Sequence, residues 1–185
     1  TELEGVKLFN RGKVRDVYDL GDSLLFVASD RISAFDVVMP NGIPNKGKVL
    51  TQISLFWFEL MKWMPNHLVT ADFKEFPAVL KKYEKDLAGR SMIVKKASPL
   101  PIECIVRGYL VGSGWKEYKS SGKVCGVQLR PGYKQAEKLD SPMFTPSTKA
   151  EQGLHDENIS VEKAAEIIGS AKASKISEMS VKIYK

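Results

Sequence analysis

The sequence predicts an α+β fold, and three observations carry that expectation. Val14 to Leu20 and Leu24 to Ala28 flank a Gly21-Asp22 turn, the signature of an antiparallel hairpin. A helix-period row follows, with Leu50, Ile53, Trp57, Leu60, Met61 and Met64 on one face. Two more strands then lead into a helical C-terminal stretch.

Taken in order, Lys7 to Asn10 reads as the first strand, and residues 14–28 as the hairpin. Met39 to Gly47 holds too many turn formers for regular structure. In the helix beyond it, Thr51 is a candidate N-cap and Pro65-Asn66 supplies the stop. Its aromatic and methionine face is expected to be core. Pro77 to Glu84 predicts a short helix with proline in its first turn. Ser91 to Lys95 and Ile102 to Leu110 read as strands separated by Ala97-Ser98-Pro99-Leu100-Pro101. Gly112-Ser113-Gly114 opens a short helix through Tyr118, and residues 120–150 are rich in Gly and Pro and read as loop. Asn158-Ile159-Ser160 introduces a helix with Val161, Ala164, Ala165 and Ile168 on one side. A last helix carries Ile176, Met179 and Ile183. No internal repeat interrupts this order.

With 185 residues the chain can form one domain or two small ones. Apolar residues make up 43% and charged residues 27%, the ordinary balance of a globular protein, and no apolar run is long enough to span a bilayer. Thr1-Glu2-Leu3-Glu4-Gly5 has neither the charge nor the apolar pattern of a signal or transit peptide. Cys104 and Cys125 are the only cysteines and point to free thiols in a reducing, cytoplasmic setting. His67 and His155 are the only histidines and lie too far apart in sequence to suggest zinc. The net charge of +6 fits a solvated lysine surface or a site that gathers anionic small molecules. Basic residues interleaved with acidic ones, as in Lys81-Lys82-Tyr83-Glu84-Lys85-Asp86, speak against nucleic acid as the partner.

Three constellations could carry chemistry. Arg11-Gly12-Lys13-Val14-Arg15-Asp16 heads the hairpin, and two cations on one strand face beside a glycine make a candidate polyphosphate clamp. An exposed basic strand is the plain alternative. Ser29-Asp30-Arg31-Ile32-Ser33-Ala34-Phe35-Asp36 follows a buried strand directly, with its polar groups alternating with apolar ones. That suits recognition of a polar small molecule, or a surface loop with an Asp–Arg pair. In Glu103-Cys104-Ile105-Val106-Arg107-Gly108-Tyr109-Leu110-Val111-Gly112-Ser113-Gly114, Glu103 and Arg107 fall on one strand face and Ser113 starts a helix. An Arg facing a helix N-terminus is a candidate phosphate or carboxylate cradle, against the plain reading of a tight glycine turn. No Ser–His–acid triad and no activated cysteine is present, and His155-Asp156 reads as structural, which leaves chemistry done by positioning anions.

Gly12-Lys13-Val14-Arg15-Asp16-Val17-Tyr18, the Ser29 to Asp36 stretch, Lys46-Gly47 with its helix, and Arg107 to Gly114 together resemble the SAICAR synthetase (phosphoribosylaminoimidazole-succinocarboxamide synthase) family. The resemblance covers essentially the whole chain. It implies an ATP- and Mg2+-dependent ligase that joins L-aspartate to the carboxylate of carboxyaminoimidazole ribonucleotide through an acyl phosphate. It implies a small antiparallel lobe over residues 1–100, similar to the ATP-binding lobe of protein kinases, and the start of a second α+β lobe over residues 101–185 that closes the cleft. Small molecules are then the partners, with no nucleic acid and no membrane, and a homo-oligomer is compatible with it.

Carried across position by position, the resemblance places Gly12, Lys13 and Arg15 at the ATP phosphates. Lys95 and the backbone of Ala97 to Leu100 would line the adenine pocket, Glu103 would meet the adenine edge or orient Arg107, and Lys149 would lie near the nucleotide. Asp30, Arg31, Ser33, Asp36, Arg107, Gly112 and Ser113 fall to the ribonucleotide substrate, and no residue is assigned a catalytic role. The family's chains continue past the helix ending near Lys185 into a strand with the acidic residues that bind magnesium. The metal ligands are therefore expected beyond Lys185, and a truncated or naturally short chain is expected to be catalytically impaired while keeping part of its nucleotide site. Two rivals stand beside this reading. A small-molecule kinase needs a catalytic Asp followed by an Asn, and that pair is missing; a non-catalytic nucleotide- or RNA-binding module needs neither.

Overall fold

The computed structural model describes residues 2–34, 37–149 and 156–185. Its contacts divide the chain into Thr1–Ser98 and Pro99–Lys185.

In the first unit, β1 (Lys7–Arg11), β2 (Arg15–Asp19) and β3 (Ser23–Ala28) form a meander. A small pair, β4 (Ser33–Ala34) with β5 (Val37–Val38), precedes α1 (Lys46–Leu60). Then come β6 (Leu68–Thr70), a 3-10 turn at Phe73–Glu75, α2 (Ala78–Lys81), α3 (Glu84–Leu87) and β7 (Ser91–Lys95). The sheet runs β1-β2-β3-β7-β6, antiparallel at each pairing. The period-two pattern of β3 gives the sheet two apolar faces. Leu25 and Val27 pack with Tyr18, Leu80, Leu87 and Ile93 on one face. Leu24 joins Met92 and Val94 on the other, with Phe26 and Phe58 against them. Each such side chain contributes about 1.5–3 kcal/mol when fully buried, so the doubly covered β3 anchors this unit.

The helix departs from its expectation in a way that matters for the site. It begins at Lys46, inside the stretch read as irregular, because Asn45 takes a left-handed backbone (φ 65) just ahead of it. Thr51 is therefore a buried interior residue rather than the N-cap. The inward face runs through Gly47, Thr51 and Phe58. Leu50, Ile53, Trp57 and Leu60, expected in the core, are between 42% and 58% exposed. Gly47 decides this rotation, since a Cβ built there falls onto the carbonyl of Ala28 at the end of β3.

In the second unit, β8 (Ile102–Glu103), β9 (Val106–Tyr109), α4 (Gly112–Ser121), β10 (Lys123–Val124) and β11 (Val127–Gln128) come first. They are followed by β12 (Lys138–Phe144), β13 (Ser147–Thr148), α5 (Val161–Ile168) and α6 (Ser170–Tyr184). The single strand expected over Ile102 to Leu110 is two strands. β8 pairs with β13 and β9 with β12, and Thr145-Pro146 separates the two partners. Proline cannot donate to a ladder, so the pairing breaks there. Four short strands also occupy part of the region read as loop. β12 carries Pro142 and a register shift between Lys138 and Met143, which hid it from a pattern search.

Two small cores hold this unit. Leu110, Val124, Cys125, Tyr133 and Leu139 form one, and Ile102, Ala164, Ile168 and Ala173 the other. Ser160 caps α5 by accepting the Lys163 N–H at 3.1 Å. Among the described residues, no helix is long and apolar enough to cross a membrane.

Gly47→Ala is expected to cost about 1–3 kcal/mol, because the backbone carbonyl it meets cannot give way as a flexible side chain would. Urea denaturation read against Lys48→Ala, on the exposed side of the same turn, measures it; equal midpoints would mean that the Gly47 contact is slack.

Candidate functional site

The turn between β1 and β2 is closed by the Gly12 N–H donating to the Arg15 carbonyl at 2.8 Å. Lys13 lies in that turn and Arg15 opens β2, so the expectation that both point from one strand face does not hold. The turn is instead fixed from outside. Arg31 donates from Nε to the Lys13 carbonyl at 3.2 Å and from Nη2 to the Gly12 carbonyl at 3.0 Å. It also forks onto Asp16, with Nη2 to Oδ1 at 2.6 Å and Nη1 to Oδ2 at 3.3 Å. Ser29 Oγ donates to the Val14 carbonyl at 2.8 Å. Asp16 is fully buried. Burial pushes its carboxyl up, while the Arg31 hydrogen bonds and nearby positive charge pull it down, and the balance holds it below the ordinary carboxylate value.

Asp30 is equally committed. Oδ1 accepts the Gly47 N–H at 2.9 Å and Oδ2 the Asn45 N–H at 3.2 Å, at the start of α1. Arg90 reaches the same carboxylate at 3.1 Å. The charged groups of Asp30 and Arg31, expected among the substrate-binding residues, are thus turned into the first unit. Ser33 lies in β4 opposite Val38. Asp36, like Phe35 and His155, lies outside the described residues.

Arg15 stacks 5.1 Å above the Phe26 ring and lines a cavity of about 100 Å³ with Phe26, Thr51, Phe58, His67 and Arg90. His67, given no role from the sequence, is held against Phe26 and Phe58 at ring separations of 5.8 and 5.6 Å. Burial, followed by the charge of Arg15, pulls its pKa down and keeps it neutral. Nothing in the local sequence around His67 marks it. Lys95 ends β7 with its N–H on the His67 carbonyl at 2.8 Å, and Ala97 lies beyond it outside regular structure.

The second unit gathers its own polar group at the start of α4. Gly112 takes a left-handed backbone (φ 57), and no side chain caps the helix N-terminus. Arg107, on β9, lays its stem across Gly114, where a Cβ would stand 3.1 Å from Cδ and Nε. Its Nη2 donates to Ser113 Oγ at 2.8 Å, while its Nε is buried without a partner. A guanidinium, a hydroxyl and free helix N–H groups so placed can hold a phosphate or a carboxylate. Gly112, Ser113 and Arg107 are brought together as expected from the spacing.

Glu103 does not share a strand with Arg107: it sits on β8 opposite Ser147, so the same-face argument for orienting Arg107 fails. Leu100 packs against the Ile102 cluster, and the Lys149 N–H meets the Pro101 carbonyl at 3.4 Å. Two residues that sequence reasoning missed stand behind Ser113. Ser113 Oγ lies 3.4 Å from Asn158 Oδ1, and Asn158 Nδ2 donates to Glu117 Oε2 at 2.9 Å. Glu117 one helical turn after Ser113 was a readable signal; Asn158 was not.

Both cysteines are free thiols, Cys104 exposed and Cys125 buried. Burial and then the charge of Glu117 push the Cys125 thiol up to about 11. Among the described residues, no group of three or more His, Cys, Asp or Glu converges as a metal site.

The SAICAR synthetase family model matches residues 8–185. The chain belongs to the SAICAR synthetase family. The phosphoribosylaminoimidazole-succinocarboxamide synthase of Geobacter sulfurreducens is 59% identical to it, and that of Thermodesulfovibrio yellowstonii 60%; each alignment covers 100% of this chain and 63% of the relative. The SAICAR-synthase of Saccharomyces cerevisiae, solved in complex with SAICAR, superposes with a TM-score of 0.90 at 46% identity, again covering 100% of this chain and 63% of that one. A synthase from Ehrlichia chaffeensis shares the fold at 20% identity and a TM-score of 0.70. The chain thus spans 63% of the length of these curated relatives and of the yeast structure. The α+β SAICAR synthetase fold is as expected from the sequence, and neither the kinase nor the RNA-binding alternative is favoured.

Because the folded pKa of Asp16 is lowered, its pairing stabilises fully above the unfolded carboxylate pKa of about 3.9 and is lost as pH falls through the folded value. Asp16→Asn is expected to cost about 3 kcal/mol at pH 7 and to flatten the stability profile below pH 4. Denaturation midpoints taken from pH 7 to pH 2 check both; a variant with the parent's acid slope would assign that slope to other carboxylates.

Proposed function

We propose that the protein carrying this chain is an ATP-dependent ligase of purine biosynthesis, joining L-aspartate to carboxyaminoimidazole ribonucleotide to give SAICAR. The observation that carries this reading is the Arg107–Ser113 pair at the uncapped start of α4, in a chain 46% identical to a yeast enzyme solved with SAICAR.

The chemistry follows from an unreactive carboxylate. Its oxygen attacks the γ-phosphorus of ATP, the bond to the bridging oxygen breaks, and ADP leaves with that electron pair. The aspartate amine attacks the acyl carbon, inorganic phosphate departs, and the amine proton goes to solvent. Such a reaction rests on holding anions in place and offsetting their charge. In this reading Lys13, on the turn held by Arg31, and Arg15, at the start of β2, act on the ATP phosphates. Arg107, Ser113 and the α4 N–H groups hold an anionic group of the ribonucleotide. Lys95, Ala97, Leu100 and Glu103 serve the adenine end, and Lys149 lies near the nucleotide. Asp36 is assigned to the ribonucleotide by the resemblance alone. Magnesium would neutralise phosphate charge, but the described residues do not form a ligand set that fits it.

In the protein as the cell makes it, ADP release is expected to require both the carboxylated ribonucleotide and L-aspartate. Arg107→Ala should raise the ribonucleotide KM about 10–100-fold, the value of one charged hydrogen bond or two, with the KM for ATP little changed. ADP release that ignores aspartate would sink the ligase reading.

A further inference from the structure

The hydroxyl of Ser113 can point in several directions, and which one it takes decides what it offers an incoming anion. The structure supplies the answer from behind the site, within the second unit. An ionised carboxylate only accepts hydrogen bonds. Glu117 uses both oxygens this way, Oε1 for the Cys125 N–H at 2.8 Å and Oε2 for Asn158 Nδ2 at 2.9 Å. With its amide nitrogen held by Glu117, Asn158 must turn Oδ1 toward Ser113, at 3.4 Å. Facing an acceptor, Ser113 sends its proton to Asn158 and its lone pair to Arg107 Nη2 at 2.8 Å.

We propose that Glu117 and Asn158 are positioning residues that fix the Ser113 hydroxyl, and through it the Arg107 guanidinium, as a preformed anion cradle. The proposal rests on the ligase reading, because it takes the ribonucleotide's anionic group as the guest. Donation runs one way from Arg107 through Ser113 and Asn158 to Glu117, whose other oxygen accepts from the Cys125 amide. The uncapped α4 N–H groups then remain for the ligand. A cradle set in advance loses less freedom on binding, so its worth is read in affinity rather than in turnover.

A plain structural role for Glu117 would be to tie α4 to the β10–β11 turn, and a swap of chemistry separates the two. Glu117→Gln keeps an acceptor for the Cys125 amide but presents a donor to Asn158, which must flip and turn its own NH2 against Ser113. Asn158→Asp sets two carboxylates against each other. In the double variant the glutamine donates to the aspartate, and the aspartate still accepts from Ser113, so the original pattern returns.

The test uses the protein as the cell makes it, with calorimetric titration of carboxyaminoimidazole ribonucleotide, steady-state kinetics and thermal melting on all four forms. Each single variant is expected to raise Kd and KM for the ribonucleotide about tenfold or more, with kcat and the KM for ATP within about twofold. The double variant is expected to return within about threefold of the parent. Single variants that bind like the parent would overturn the proposal. So would losses that the double variant does not recover, or that track a fall in Tm. A parent protein that binds no ribonucleotide would overturn the ligase reading and this proposal together.

Discussion

The buried Asp16 carboxylate, forked by Arg31, is the interaction on which the first unit's candidate chemistry depends. A carboxylate taken out of water demands a partner, and here two more of the partner's N–H groups go to the Gly12 and Lys13 carbonyls. A short hairpin turn would otherwise be free to flex. Instead it is tied to the chain just past β3, at the point where Ser29 also holds Val14. One residue further, Asp30 holds the first N–H groups of α1 and the Arg90 guanidinium. Three consecutive residues therefore couple the hairpin, the end of the central strand and the helix, and the order of the basic turn is inherited from them.

The second unit solves a similar problem with glycines and an amide relay. Gly114 lets Arg107 lie flat on the helix start, and Gly112 supplies the left-handed step into it. Both arrangements place a cation against backbone and hold it through a carboxylate, Asp16 directly on Arg31 and Glu117 behind Ser113 and Asn158. This lets a chain of net charge +6 hold its basic groups in place before any anion arrives.

What was legible in the sequence was what short-range physics decides. The hairpin β2–β3 shows in its flanked turn, β7 in an apolar run, α5 in its helical period and Ser160 cap, α6 in its period, and Gly112-Ser113-Gly114 announced a tight approach. The rotation of α1 was not legible, because its apolar residues outnumber those the sheet can cover and only Gly47 against Ala28 chooses the face. β12 was hidden by Pro142, and the break between β8 and β9 by a proline on the partner strand. The sequence singled out the Ser29–Asp36 stretch as a candidate recognition segment, beside the plain reading of a loop with an Asp–Arg pair. That Ser29, Asp30 and Arg31 bond inward could be seen only once Asp16, Asn45 and Arg90, distant in sequence, were beside them.

The contrast between the two thiols has a practical side. Cys125 is enclosed in the second unit's core and stays protonated at neutral pH, which makes it a poor nucleophile toward alkylating reagents. Cys104 is exposed and immediately follows Glu103 of β8. Burial and then the charge of Glu103 push the Cys104 thiol up as well, so it is exposure that directs a maleimide dye to Cys104 within residues 1–185. It would report, by its emission, on changes in the surroundings of β8.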